Sequence, residues 1–291
     1  VVRLSQRLEW PGKQALRGAV ALAEAEARSA GLDGVRLHLR TAASIVYDDY
    51  FAVRRALEIN REHLALVTRL QKSAEAQYGA GRGSQQDPIQ ADVELALLER
   101  ERLALVARGQ VISAQINGLL HRPAASPLPA APARLDIATL PALSDSQWLQ
   151  RAQEGQPELR EASGIVDARR SGVDLAARAF FPDFSVAAAY STMWPQAEHP
   201  LMMGLSVNIP IQLGARRAGL EQASARLAWA ESEQAEQLKS VDVEVRQALV
   251  LFEESVAQAV VYRDRILPAT RSQIEAAEAG YINGRNSFSD I

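Results

Sequence analysis

Residues 74–87 read Ala74-Glu75-Ala76-Gln77-Tyr78-Gly79-Ala80-Gly81-Arg82-Gly83-Ser84-Gln85-Gln86-Asp87. The same frame returns at 277–290, where Ala277, Glu278, Ala279, Tyr281, Gly284, Arg285, Ser287 and Asp290 repeat the first copy. Eight of fourteen positions are identical at a fixed offset of 203, so the chain carries two copies of one plan. Upstream, Pro11-Gly12 and Leu213-Gly214 lie 202 apart, and each closes an alternating stretch and opens a helical one.

Between these landmarks the apolar positions recur every seven residues. Leu238, Val245, Phe252, Ala259 and Ile266 form one such row, with Val241, Ala248 and Tyr262 interleaved. Ala43, Tyr50, Leu57 and Leu64 form the other, with Leu39, Val46, Val53 and Val67 interleaved. A sustained seven-residue repeat keeps one apolar seam against a partner helix. Residues 13–79 as one helix would span ~100 Å at ~1.5 Å per residue. Gly31-Leu32-Asp33-Gly34 is expected to break it, and Pro268 to kink its second-half counterpart. The Tyr-x-x-Gly-Arg segment ends each long helix, and a return helix is expected over about 88–120. Each half is thus an antiparallel helical hairpin, turning at Gly81 or Gly284. The Pro- and Ala-rich stretch after Leu120 reads as a linker, followed by a helix over about 146–179 with a break near Gln156-Pro157. The expected organisation is a first repeat over 1–120, a linker over 121–145, and a second repeat over 146–291 with a strand hairpin at 183–209.

Three stretches alternate with a period of two. Val2, Leu4, Leu8 and Trp10 alternate with Arg3, Ser5, Arg7 and Glu9; Phe184, Val186, Ala188 and Tyr190 alternate with Ser185, Ala187, Ala189 and Ser191. Met203, Leu205, Val207 and Ile209 then alternate with Met202, Gly204, Ser206 and Asn208, and residues 195–200 connect the last two into a hairpin. Strands of about ten residues, apolar outward and small or polar inward, fit a transmembrane barrel; a half-buried sheet in a soluble α+β protein gives the same alternation. No apolar run approaches the ~20 residues a spanning helix needs, so any contact with a membrane falls to the strands.

Composition narrows the function. The 291 residues are 47% hydrophobic but only 5% aromatic, which suits long, closely packed helices better than a thick core. A net charge of −3 with no basic run argues against a nucleic-acid partner. With no cysteine, disulfides and thiolate metal sites are excluded. His38, His63, His121 and His199 are scattered, and Glu58, Glu62 and His63 read as a solvated helix face. The sequence offers no catalytic, cofactor or metal constellation and does not read as an enzyme.

Five segments carry a resemblance: Ser5-Gln6-x-x-x-Trp10-Pro11-Gly12-Lys13, Gln156-Pro157-Glu158-Leu159, Phe181-Pro182-Asp183-Phe184, Asn208-Ile209-Pro210-Ile211 and Gly280-Tyr281-x-x-Gly284. In this order they resemble the TolC family of outer-membrane efflux proteins, nearest its heavy-metal efflux branch, typified by CzcC and CusC. The resemblance implies a mainly α fold with a small β part. Long antiparallel helical hairpins form a periplasmic tunnel, and strands from three protomers close one outer-membrane β-barrel. It implies a Gram-negative homotrimer in outer-membrane lipid, joined to a periplasmic adaptor and an inner-membrane pump, passively passing metal cations or drugs. A duct for type I protein secretion and a soluble helical scaffold are the alternatives. Relative to the family plan, one strand of the first half and the return helix of the second are missing, which implies a piece of a longer chain.

On this reading Val2, Leu4, Leu8, Phe184, Val186, Tyr190, Leu205 and Val207 face the membrane. The two turns, Tyr78, Gly81, Arg82 and Asp87 with Tyr281, Gly284, Arg285 and Asp290, form the periplasmic tip where the tunnel narrows and the adaptor docks. Tyr281 and Asp290 are implied to hold or line that constriction. The turns also admit a purely local account. Gly81 and Gly284 would supply left-handed conformations. Ser84-x-x-Asp87 and Ser287-x-x-Asp290 would be capping boxes, or Asp87 an N-cap before Pro88.

Overall fold

The computed structural model describes residues 2–190, 201–283 and 285. The chain is mainly helical with one small sheet. Its order is β1 (Val2–Leu8), α1 (Lys13–Gly79), α2 (Gln86–Leu119), α3 (Asp145–Gly155), α4 (Pro157–Arg178), β2 (Asp183–Tyr190), β3 (Leu201–Asn208) and α5 (Leu213–Val261). A π-helical turn (Tyr262–Ile266) and α6 (Leu267–Ile282) follow. No helix among the described residues is long and apolar enough to cross a membrane.

Two compact units divide the chain, each taking segments from both repeats: Val1–Arg36 with Leu143–Gln247, and Leu37–Ala142 with Ala248–Ile291.

In the first unit the sheet has the antiparallel order β1-β2-β3. The start of α1 packs on α4 through small residues, with Ala27, Ala30, Ala162 and Ala168 all buried. The expected break at Gly31–Gly34 does not occur; α1 runs unbroken from Lys13 to Gly79. Its glycines serve close approach instead. A Cβ on Gly31 would lie 2.8 Å from Glu161 Oε2, and one on Gly34 would lie 3.0 Å from Glu158 Oε1. At Gly164 of α4 the helices cross against backbone, where a Cβ would stand 3.0 Å from the Cβ and 3.1 Å from the Cα of Ala27. Because that neighbour is backbone, Gly164→Leu is expected to destabilise by about 1–3 kcal/mol through overpacking, read as a lower denaturation midpoint. Gly172→Leu, where nothing lies within 4 Å, is the matched control. The expected break before α4 is present: Ser144 and Gln147 form a reciprocal capping box at α3, and Pro157 opens α4.

In the second unit α1 and α2 pair along the predicted seam. Tyr50, Val53, Leu57 and Ile112 form one buried cluster, and Asn60 crosses the pair, its Nδ2 donating to Leu98 O at 3.1 Å. The segment after α2 is more than a linker, because part of it is strapped onto the helices. Buried Asn117 donates to Ala124 O and Ser126 O (3.1 and 2.8 Å), Tyr50 donates to Pro129 O at 2.8 Å, and Leu128 and Ala131 cover the cluster. The irregularity expected at Pro268 sits one turn earlier, as the π-helical turn, so that Pro268 falls in the first turn of α6. A π turn accommodates the missing N–H without ending the helix.

Candidate functional site: two-faced strands and a helical tip

Register decides what the strands present. Directly opposed residues of antiparallel strands share a face. Val2 opposes Tyr190, Leu4 opposes Ala188 and Leu8 opposes Phe184. Tyr190 opposes Leu201, Ala188 opposes Met203, Val186 opposes Leu205 and Phe184 opposes Val207. All eight residues read as membrane-facing therefore share one face, joined by Leu201 and Met203. Gln6, opposite Val186, is its one strongly polar member. Leu4, Leu205 and Met203 are 75%, 73% and 82% exposed. The other face carries Arg3, Ser5, Arg7, Ser185, Ala187, Gly204, Ser206 and Asn208, with Ser185 and Ser206 hydroxyls 3.1 Å apart across the strands.

At the foot of the sheet two of the sequence motifs meet. Trp10 stacks on Phe181 and Phe184, with ring centroids 5.2 and 6.1 Å away. Asp183 accepts from Arg7 Nη2 and Lys13 Nζ, both at 2.8 Å, and from the Trp10 N–H at 3.1 Å. Lys13, 6% exposed, also donates to Phe181 O at 2.9 Å. Gly12 turns the chain from β1 into α1 at φ +90°, and the Arg178 guanidinium reaches Pro11 O at 2.7 Å beside it. Neither motif predicts the ionic node by itself; the signal they share is a lone Lys and a lone Asp, each embedded in an aromatic-Pro segment.

At the other candidate region the first turn follows the glycine account. Gly81 has φ +70°, its N–H bonds Tyr78 O at 2.9 Å, and the Arg82 N–H bonds Gln77 O at 2.9 Å, a Schellman pair. The second copy reproduces the closing bond: the Arg285 N–H reaches Gly280 O at 2.8 Å, and residue 280 is the repeat mate of 77. Gly284 and Asp290 lie outside the described residues.

The two tyrosines of the repeat differ. Tyr78 is 47% exposed, whereas Tyr281 is 1% exposed in a cluster with Leu70, Ala74 and Ala91. The Tyr281 hydroxyl donates to Asp87 Oδ2 at 3.4 Å, a long bond, and Gln77 Nε2 donates to Tyr281 O at 3.2 Å. Burial first, then the Asp87 charge, push the Tyr281 phenol above its ordinary value, so it stays a donor at neutral pH. The capping reading of Asp87 is corrected: α2 starts from Gln85 with no side-chain cap, and Asp87 is the acceptor for Tyr281. Ser84 Oγ instead accepts the Gln86 N–H at 3.1 Å. Tyr281 and Asp87 thus meet, whereas Arg82 and Arg285 are exposed. Gln77 was not foreseen. Among the described residues no group of three or more His, Asp or Glu side chains is placed to hold a metal ion.

Long helices, an α1–α2 hairpin and a small antiparallel sheet with one continuous apolar face make up the fold. Three solved structures have it. The outer-membrane channel OprN matches with a TM-score of 0.84 at 20% identity, covering 99% of this chain and 66% of that one. CusC, described for its transmembrane channel formation, matches at 0.83 and 21%, covering 99% and 68%. The outer membrane protein VceC of Vibrio cholerae matches at 0.80 and 18%, covering 99% and 70%. The chain spans about two thirds of the length of OprN. No curated protein matches it by sequence. Residues 148–291 match the family described as outer membrane efflux protein.

Proposed function

We propose that this chain is part of an outer-membrane exit duct. Three copies of the parent protein share one barrel and one helical tunnel, and small solutes delivered by a periplasmic adaptor and an inner-membrane pump pass through without catalysis. The observation that carries the reading is the register of the sheet, which gathers eleven apolar positions onto one face and leaves the opposite face, Met202 apart, small, polar or charged. Such a face is unfavourable in water and suits the hydrocarbon region of a bilayer. Three strands cannot close a barrel. Exposed apolar residues of α5 support association as well, among them Leu238, Val250, Leu251 and Val261. These exposures argue against a soluble helical scaffold.

Tyr281 and Asp87 act as the latch of the resting tunnel. They join the end of α6 to the start of α2, and Tyr281 fills a pocket between α1 and α2. A buried ring and one hydrogen bond together contribute roughly 2–4 kcal/mol per protomer. An adaptor that favours the splayed arrangement by more than this shifts the population to open. Tyr78, Gly81, Arg82 and Arg285 lie at the turns and form the docking rim, with Gly284 and Asp290 assigned to it by the repeat.

The test is the mass of the full-length protein in detergent. A trimer of fixed stoichiometry, extracted from the outer-membrane fraction, is expected. A stable monomer soluble without detergent would overturn the reading.

A further inference from the structure

Below the polar face of the sheet, β1, β2 and β3 meet the first turns of α1, the end of α4 and the start of α5 around a cavity of about 390 Å³. That size is within the range of small-molecule sites, ~300–1,000 Å³. Its charged lining is Arg7, Lys13, Arg17, Arg216, Arg226 and a single carboxylate, Asp183. Asp183 is already engaged by Arg7 and Lys13, and Arg17 pairs with Glu9, which is not part of the lining. Arg216 and Arg226 are exposed and have no ion pair among the described residues. Buried Lys13 spends two of its three N–H donors on Asp183 and Phe181 O, and the third has no partner among the described residues. The lining therefore carries a net of four positive charges, or three with Glu9 included.

Like charges gathered in a concave wall focus a positive potential and concentrate anions. Guanidinium forks match the oxygens of a phosphate in a bidentate manner. We propose that this cavity is an anion site for a phosphate group at the mouth of the barrel, held chiefly by Arg216, Arg226 and the free Lys13 donor. The reading rests on the proposed duct, because it places the polar face of the sheet on the lumen. A site of this kind raises the local anion concentration where solutes enter the barrel and biases conduction toward anions.

The experiment compares the full-length wild type with Arg216→Gln/Arg226→Gln, in which glutamine preserves helix propensity at two exposed positions. In delipidated protein held in maltoside detergent, inorganic phosphate is titrated by calorimetry. The phosphorus content of lipid retained on purification is measured alongside. Wild-type protein is expected to bind phosphate, and the double variant about a hundredfold more weakly, as loss of two charge-assisted contacts at about tenfold each gives. Retained lipid phosphorus that disappears in the double variant would identify a headgroup as the source of the same phosphate group. Equal phosphate binding and equal lipid phosphorus in the two proteins overturn the site. In planar bilayers under a KCl gradient, the wild-type reversal potential should favour chloride and that of the double variant should move toward potassium. A preparation that binds phosphate yet forms no pore would overturn the duct while sustaining the site.

Discussion

Leu205→Arg is expected to abolish assembly into the outer membrane, whereas Ser206→Arg, one residue on, leaves a measurable assembled fraction. Leu205 lies in the middle of β3, opposes Val186, and stands on the apolar face. A charge near the bilayer midplane costs about 2–4 kcal/mol per chain, and three copies suffer it together. Ser206 lies on the opposite face beside Ser185, where an added guanidinium reaches water. The measurement is the fraction of each variant recovered in the outer-membrane pellet at matched expression. Equal recovery would mean that neither face meets lipid.

Asp183→Ala is expected to have the largest effect on stability of any single polar change in the first unit. It removes the partner of a lysine that is almost wholly buried, along with the acceptor for the Trp10 N–H. Breaking a buried pair from one side costs about 3–5 kcal/mol because the orphaned charge remains. Arg7 contributes little to that figure, since its side chain is 63% exposed and water replaces the bond. Lys13→Met added to Asp183→Ala should recover part of the loss, so the double variant is expected to be more stable than Asp183→Ala alone. Denaturant unfolding of the detergent-solubilised protein reads both, and strict additivity of the two losses would contradict the node.

Much of this architecture is legible in the sequence because it is periodic. The spacing of seven places α1 and α5, the spacing of two places all three strands, and the Tyr-x-x-Gly-Arg frame places the first turn and the end of α6. Features set by distant partners are not legible in this way. Gly31 and Gly34 read locally as a break, and only the approach of Glu158 and Glu161 on α4 shows why glycine stands there. Asp87 before Pro88 reads locally as a cap; its partner, Tyr281, is 194 residues away. Pro268 signals an interruption, but the helix absorbs it as a π turn one turn upstream. The Lys13–Asp183 pair joins residues 170 apart, beyond the reach of any helical or strand period. Likewise, the repeat makes Tyr78 and Tyr281 look equivalent, and packing alone separates the exposed one from the buried one.

In the proposed duct, a latch between α6 and α2 closes a conducting tunnel. Single-channel recording of the full-length protein in planar bilayers, wild type beside Tyr281→Phe and Asp87→Ala, tests this most directly. The wild type is expected to show a small conductance, unchanged between about pH 6 and 9, because the raised phenol keeps its proton there. The phenol is protonated in the latched state, so the latch is fully present below the ordinary tyrosine value of ~10 and weakens as pH rises through the folded value above it. Both variants are expected to raise the conductance to a similar level, and the double variant no further than either alone, since both remove one bond. Wild-type protein that forms no ion-conducting pore, or an Asp87→Ala channel that conducts as the wild type does while Tyr281→Phe opens, would contradict it.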